Sequence, residues 1–343
     1  MLVYLLKRLN LLIATTLALF LVLFITTKSL PTSPQEALTG KLNPSAEHLQ
    51  QVQLDYGLEK SNLEQFYFYI KQRLSGDFGL SITTQIEISS ELQQVLPASL
   101  ELGFYSLFLA TLLGIPIGVF AAMIHSKFWQ DAILSATITA YSVPVFWLGI
   151  SLSLWFGIEL DWFPVSERQN LLYQIEPVTG FLVIDCILSD SELKWFALND
   201  ALRHLVLPTL TLALLPLAII TRATFNAMIE VMSQNYIRAA KARGLNSLQV
   251  VIKHALPNAL LPVLRQFGNS LGMIASYAII TEVIFSWPGI GSWLLAAINQ
   301  RDYTAIQGGV LIVSLFIIVS TILIDIIHTW FNPLSRKELY GKG

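Results

Sequence analysis

The sequence is short of charged side chains and of cysteine. Only 13% of its 343 residues are charged, whereas soluble globular chains carry about 25%. This deficit, together with a hydrophobic fraction of 54%, indicates a chain that is solvated largely by lipid. The single cysteine, Cys186, has no partner within the chain, so no disulfide framework can be predicted.

Enzyme signatures are also missing. The sequence contains no GxxxxGK[ST] loop for nucleotide phosphates, no HExxH motif and no Cys/His cluster spaced for a metal. No basic face with interleaved aromatic residues indicates nucleic-acid binding. One formal match, GNSLG at residues 268–272, fits GxSxG around Ser270. We expect it inside a membrane helix, whereas a serine nucleophile needs a strand–turn–helix elbow.

The sequence does contain long apolar runs. A helix that spans a membrane needs about 20 mostly apolar residues, and six runs meet or approach that length. We therefore predict an all-α polytopic membrane protein with six transmembrane helices. Their approximate ranges are 9–27, 97–124, 132–158, 205–225, 266–286 and 303–325.

Two further features of these runs carry predictions. The first apolar run is longer than the core of a signal peptide and is followed by no Ala-x-Ala site. We therefore interpret it as a retained helix. Two pairs of glycines spaced four apart, Gly114 with Gly118 and Gly268 with Gly272, predict close packing between helices.

Lysine and arginine are concentrated in alternate polar segments, which predicts the orientation. The basic set comprises residues 1–8, 125–131, 222–265 and 325–343. We predict that this set, with both chain termini, faces the cytoplasm. The predicted organisation is an N-terminal segment with the first helix (1–29), an outer region (30–95), a transmembrane core (96–328) and a cytoplasmic tail (329–343). The core includes an acidic outer loop (159–204) and a cytoplasmic loop (226–262).

Ionisable residues are scarce within the predicted helices. Glu101 and Glu282 fall near outer helix ends, and Asp325 falls near an inner end. A charge at membrane depth is costly and is a candidate for function. At a helix end the same charge is equally consistent with an interfacial side chain or a cap, so the sequence leaves both interpretations open. No run of acids indicates a proton or sodium relay.

Residues 235–261 form the longest basic segment between apolar runs and contain no acid. We predict that a helix continues from the fourth span through residues 226–243 and ends at Gly244 in a left-handed conformation. A second helix, capped by Asn246 or Ser247, follows, runs to Leu256 and is interrupted by Pro257 and Pro262. The result is a helix–turn–helix elbow that projects from the membrane. The alanines at 239 and 240 would leave one side of it thin enough for another protein to approach.

The spacing AA-x3-G-x11-LP in this elbow resembles the EAA loop of ABC importer permeases, EAA-x3-G-x9-I-x-L-P. The matching residues are Ala239, Ala240, Gly244, Leu256 and Pro257. Arg238 stands where that pattern has glutamate, and His254 stands where it has isoleucine. Both departures resemble the dipeptide/oligopeptide branch of the family.

Other motifs with the same resemblance occur in order along the chain. They are GDFGLS (76–81), LPASLEL (96–102), GIPIG (114–118), SVPVFW (142–147), FSWPGIG (285–291) and RDY (301–303). Segments of the outer loop between residues 163 and 191 are similar to Sap-type peptide permeases. That transport system is named for sensitivity to antimicrobial peptides in Gram-negative bacteria.

The resemblance implies a non-catalytic, multi-pass permease subunit in the bacterial inner membrane, with two sizeable periplasmic loops. Its implied partners are a second, homologous permease subunit, two cytoplasmic ATPase subunits, a periplasmic solute-binding protein and membrane lipid. ATP would be used by the ATPase subunits, and no cofactor would bind this chain directly. The implied coupling residues are Arg238, Ala239, Ala240, Gly244, His254, Leu256 and Pro257.

The solute stays open at this point. The resemblance implies peptides, with cationic or antimicrobial peptides as the first choice and putrescine as the alternative. Two hypotheses from other classes also remain: an ATP-independent carrier, and an intramembrane hydrolase that uses Ser270.

Overall fold

The computed structural model describes residues 2–29 and 60–331, and it confirms the predicted all-α class. Within those ranges the only extended pairing is an isolated bridge between Leu80 and Glu87. The helices are α1 (Leu2–Ser29), α2 (Asn62–Leu74), α3 (Ile88–Met123), α4 (Lys127–Ser142), α5 (Val145–Leu152), α6 (Leu182–Leu188), α7 (Lys194–Met232), α8 (Asn235–Ala242), α9 (Ser247–Val250), α10 (Leu256–Ile284), α11 (Ile290–Gln300) and α12 (Tyr303–Phe331). Two π-helical segments, Ser153–Glu159 and Val251–Ala255, follow α5 and α9.

Five helices in the described residues are long and apolar enough to cross a membrane. They are Leu6–Ser29 within α1, all of α3, all of α7, the run Ser247–Ile284 that ends with α10, and Tyr303–Trp330 within α12. These helices extend beyond most of the predicted apolar runs, because a helix continues into polar flanks that hydropathy does not detect. Pro97 and Pro116 lie inside α3, and Pro208 and Pro216 lie inside α7.

The third predicted span, 132–158, is not one straight helix. Helix α4 and the segment Val145–Glu159 are bent by 98° relative to each other, and they form a sixth span only when taken together. Proline has no backbone N–H, and its ring forces the preceding residue out of the helical conformation. Val143 accordingly has ψ 119° and Pro144 has ψ 132°, both extended.

Helices α3 and α7 form the most extensive contact between any two helices of the described residues. An added Cβ on Gly118 would lie 2.6 Å from the carbonyl oxygen of Thr221, and one on Gly114 would lie 3.0 Å from Cγ2 of Ile220. The predicted close packing is therefore confirmed for this pair. Gly268 and Gly272 face α12 with more space, since their nearest atoms would be 3.7 Å and 4.0 Å away.

Glu101 and Glu282 are buried side chains that cap helices. Glu282 of α10 has no exposed surface, and its carboxylate accepts the N–H groups of Gly291 (2.7 Å) and Ser292 (3.0 Å) at the start of α11. Glu101 of α3 accepts the N–H of Val183 (2.9 Å) at the start of α6. Arg168 from the outer loop also pairs with Glu101. Carboxylates are favourable at helix N-termini, where backbone N–H groups lack partners.

Helix α1 packs along α12. Arg8 Nη1 lies 2.8 Å from Asp325 Oδ2, and Thr27 donates a hydrogen bond of 3.0 Å to Gln307. Asp325 is thus one half of an ion pair between these two helices. Of the predicted regions, residues 30–59 of the outer region and 332–343 of the tail lie outside the described residues.

Candidate coupling site

The elbow begins with a break that the sequence interpretation missed. Helix α7 ends at Met232, and Gln234, with φ −71° and ψ 150°, precedes α8. The predicted continuous helix through residues 226–243 is therefore wrong. The available signal was Ser233, whose hydroxyl donates a 2.7 Å hydrogen bond to the carbonyl oxygen of Glu230. That bond satisfies one of the free carbonyl groups at the end of α7.

Helix α8 packs one side against the base of the membrane domain. Ile237 and Ala240, three residues apart, are buried in the same cluster as Met228 of α7 and Val250 of α9. Of the two predicted contact alanines, only Ala239 is exposed, because Ala240 faces this cluster. The prediction of a thin, accessible alanine side therefore holds for Ala239 and is wrong for Ala240.

The turn between α8 and α9 has the predicted chemistry. Gly244 follows the C-cap residue of α8 with φ +80°, and an added Cβ there would meet no atom within 4 Å. The backbone conformation, rather than space, therefore requires glycine. Asn246 caps α9 through Oδ1, which accepts the N–H of Gln249 at 2.8 Å, and Gln249 Oε1 accepts the N–H of Asn246 at 3.3 Å.

The second half of the elbow is continuous with a transmembrane helix. Pro257 and Pro262 were expected to interrupt it, and this expectation is wrong, because Pro257 lies in the first turn of α10 and Pro262 lies inside the same helix. The π-helical segment Val251–Ala255 joins α9 to α10 directly. His254 is half-buried in it, and its carbonyl accepts a 2.8 Å hydrogen bond from Asn258.

The outer surface of the elbow is basic and partly apolar. Arg238, Lys241, Arg243 and Lys253 are exposed. Three large apolar or aromatic side chains are also exposed, and the sequence interpretation did not single them out: Tyr236 (44%), Leu248 (67%) and Ile252 (54%). Apolar groups surrounded by cations are typical of a surface that contacts another protein.

The structure gives no support to the hydrolase hypothesis. Ser270 is fully buried within the uninterrupted helix α10, and its hydroxyl has no hydrogen-bond partner among the described residues. A serine nucleophile needs a base within hydrogen-bond reach. In the same part of the chain, no group of three His, Cys, Asp or Glu side chains is placed to hold a metal ion.

Comparison with known proteins identifies the family. Residues 114–337 match the model of the binding-protein-dependent transport system inner membrane component. The chain belongs to this family. Its members are the membrane components of ABC importers, which work with ATPase and binding-protein subunits. The chain is accordingly a multi-span permease of the peptide-transport type, and in bacteria such permeases lie in the inner membrane.

Relatives of this permease extend over most of its length. The di/tripeptide transport system permease DppB of Pseudomonas aeruginosa is 38% identical over 338 residues, covering 98% of this chain and 100% of the relative. The peptide transport system permease SapB of Salmonella typhimurium is 42% identical over 275 residues, covering 80% and 85%. The putrescine export system permease SapB of Escherichia coli is 39% identical over 275 residues, with the same coverage. A solved chain of the inward-facing MetNI methionine ABC transporter is 18% identical with a TM-score of 0.49, covering 68% of this chain and 93% of its own.

Proposed function

We propose that this permease carries peptides across the bacterial inner membrane, driven by ATP hydrolysis in two separate ATPase subunits. The observation that carries the proposal is the elbow, a folded projection whose second half runs without a break into α10. Within the proposal, a periplasmic binding protein delivers the solute, and a second, homologous permease subunit completes the pathway.

The packing of the elbow explains how a movement of the ATPase subunits would reach the membrane. Ile237 and Ala240 lie in one buried cluster with Ala255, Ala259 and Val263. The last two belong to α10, so a push on α8 is transmitted through close-packed side chains to that helix. Packed interfaces of this kind shift as rigid bodies between two arrangements. The seven predicted coupling residues lie in or beside this elbow, although Ala240 acts from the buried side.

Peptides are the proposed solute because the relatives named for di/tripeptide and peptide transport match this chain over most of its length. Cationic peptides are the narrower proposal. The acidic outer loop, with eight acids against three basic residues in 159–204, favours cationic solutes by electrostatic attraction. The same observation supports putrescine as the second candidate, which one relative's name also mentions.

The docking part of the proposal is tested with a charge placed on the exposed apolar surface. Leu248→Asp should abolish co-purification of the ATPase subunits, because a carboxylate in an apolar contact must be desolvated without a partner. The matched control is Leu172→Asp, since Leu172 is 80% exposed in the opposite, outer loop. Co-purification that survives Leu248→Asp as well as it survives the control would contradict docking through the elbow.

The solute is tested with the complete transporter in proteoliposomes. ATPase stimulation and uptake are compared for dipeptides, cationic peptides and putrescine in the presence of the binding protein. Stimulation by peptides and none by putrescine would support the first candidate, and the reverse would favour the polyamine. Solute movement without any ATPase subunit would instead identify an ATP-independent carrier.

A further inference from the structure

A cavity lined by both polar and apolar side chains opens near the predicted cytoplasmic end of the membrane domain. It has a volume of about 370 Å³ and lies where α4, α7 and α10 meet. Tyr141 comes from α4, Gln266 comes from α10, and Arg222 and Asn226 come from α7. Arg222 and Asn226 are four residues apart and therefore lie one turn above the other on the same helix face. Three separate helices thus direct polar side chains into one space.

The hydrogen-bonding groups around this cavity are unbalanced toward donors. Arginine has five N–H donors, no acceptor and a permanent positive charge, whereas the tyrosine hydroxyl and the two amides each donate and accept. The amide oxygen of Gln266 already accepts a 3.2 Å hydrogen bond from Asn269, which leaves its N–H groups as donors. None of the described residues that line the cavity is acidic. Neither Arg222 nor Tyr141 forms a hydrogen bond or an ion pair with another described residue. The chemical complement of this lining is a small anion that accepts several hydrogen bonds.

A snorkelling arginine is the simplest alternative, because arginine near the end of a span often reaches toward the membrane surface. That explanation accounts for an exposed Arg222 by itself. It does not account for Tyr141 and Gln266 reaching the same cavity from two other helices. A charged side chain within a span most often faces a water-filled cavity or the interior of the bundle. The convergence of the three helices fits that second case.

We propose that this cavity, defined by Tyr141, Arg222, Asn226 and Gln266, binds the free α-carboxylate of a peptide during its passage. The inference rests on the proposed peptide transport. A carboxylate suits the site because its two oxygens accept a bidentate pair of hydrogen bonds from a guanidinium group. A diammonium compound such as putrescine has no such group and is repelled by Arg222.

The position of the cavity connects it to the elbow. Met228 of α7 and Val263 of α10 belong to the buried cluster that holds the elbow. Asn226 and Gln266 lie two and three residues from them along the same helices. A movement of the elbow therefore changes the spacing between the donors of the cavity. The carboxylate is held in one arrangement and released in the other.

The test measures transport at solute concentrations below saturation in proteoliposomes that contain the complete transporter. Each protein is given the same dipeptide with a free carboxylate and with a C-terminal amide. The measured quantity is the transport rate of the free acid divided by the transport rate of the amide. The binding protein is the same in every arm, so a change in the ratio belongs to the permease. Arg222→Gln should lower the ratio at least about tenfold, since a hydrogen bond to a charged group is lost.

Two further variants keep the test decisive. Tyr141→Phe removes one hydroxyl and keeps the ring, so it should lower the ratio about three- to tenfold without a change of charge. Arg265→Gln makes the same charge change as Arg222→Gln at an exposed arginine beside Gln266 that does not line the cavity. We expect that variant to keep the wild-type ratio.

The outcomes separate this inference from the function on which it rests. An unchanged ratio in Arg222→Gln and Tyr141→Phe, with peptide transport intact, overturns the carboxylate site and leaves peptide transport standing. Absence of peptide transport by the wild type overturns both. Arg222→Gln could instead lower the transport rates of the acid and the amide equally, and only in liposomes that contain phosphatidylglycerol. That result would overturn the carboxylate site and assign Arg222 to a lipid phosphate. An equal fall in Arg265→Gln would show a general effect of inner positive charge.

Discussion

Replacement of Glu282 by alanine should destabilise the permease strongly, because this side chain is the acceptor for the start of α11. Its carboxylate has no exposed surface and accepts the N–H groups of Gly291 at 2.7 Å and Ser292 at 3.0 Å. A buried donor that loses its acceptor costs about 1–3 kcal/mol. With the cavity left by the missing atoms, the loss in Glu282→Ala is about 3–6 kcal/mol.

The Glu282→Gln variant separates the effect of the hydrogen-bond acceptor from the effect of the negative charge. Glu282→Gln keeps a carbonyl oxygen for both N–H groups, and its amide can donate to the hydroxyl of Ser99, which now lies 2.5 Å from the carboxylate. We therefore expect a loss of only about 1 kcal/mol in that variant. Glu230→Ala is the control, since Glu230 is exposed near the end of α7, and it should behave as the wild type.

The assay is thermal denaturation of the detergent-solubilised protein, followed by size-exclusion chromatography. The apparent Tm of Glu282→Ala should fall by roughly 4–8 °C, because the unfolding entropy that sets the slope scales with the 343 residues of the chain. An apparent Tm within about 2 °C of the wild type would refute the capping role. A fall in Glu282→Gln as large as that in Glu282→Ala would show that charge, and not hydrogen-bond acceptance, stabilises this region.

Two further predictions concern glycines. Gly118→Ala should lower the apparent Tm, because its Cβ would lie 2.6 Å from a backbone oxygen of α7. Gly272→Ala should be tolerated, because the nearest atom to its Cβ would be 4.0 Å away. An equal apparent Tm for the two variants would contradict the packing argument. Gly244→Val should leave the protein in the membrane but weaken co-purification of the ATPase subunits, because a non-glycine residue at φ +80° costs about 1–2 kcal/mol. Normal ATP-driven transport by Gly244→Val would count against the elbow.

The spans and the turn of the elbow could be predicted because their causes are local. An apolar run long enough to cross a membrane needs no information from elsewhere in the chain. Gly244 ends one helix and Asn246 caps the next, and both effects act only on neighbouring residues.

The bend in the third predicted span could not be predicted from the neighbouring residues. Pro144 breaks the helix, yet Pro116 lies inside α3 and Pro208 and Pro216 lie inside α7 without ending them. Whether a proline bends a membrane helix depends on whether neighbouring groups satisfy the carbonyl that it leaves free. That information belongs to the packed structure and not to the sequence around the proline.

The roles of Glu101, Glu282 and Ala240 could not be predicted from the sequence, because they also depend on packing. Glu101 accepts a hydrogen bond from the backbone N–H of Val183, which is 82 residues away in sequence. Glu282 receives its hydrogen bonds from the next helix after a turn that hydropathy does not describe. Ala239 and Ala240 are chemically identical, and only the packing of α8 decides which of them faces outward.

The π-helical segment Val251–Ala255 sets the rotational phase between the elbow and the membrane. A π turn holds one residue more than an α turn, and such turns frequently occur at functional sites. Each residue of an α-helix advances the side chains by about 100° around the axis. Deleting one residue from this segment would therefore turn α10 by about that angle relative to α8. The face that α10 presents to the rest of the bundle is thus fixed by five residues at the junction between the elbow and α10.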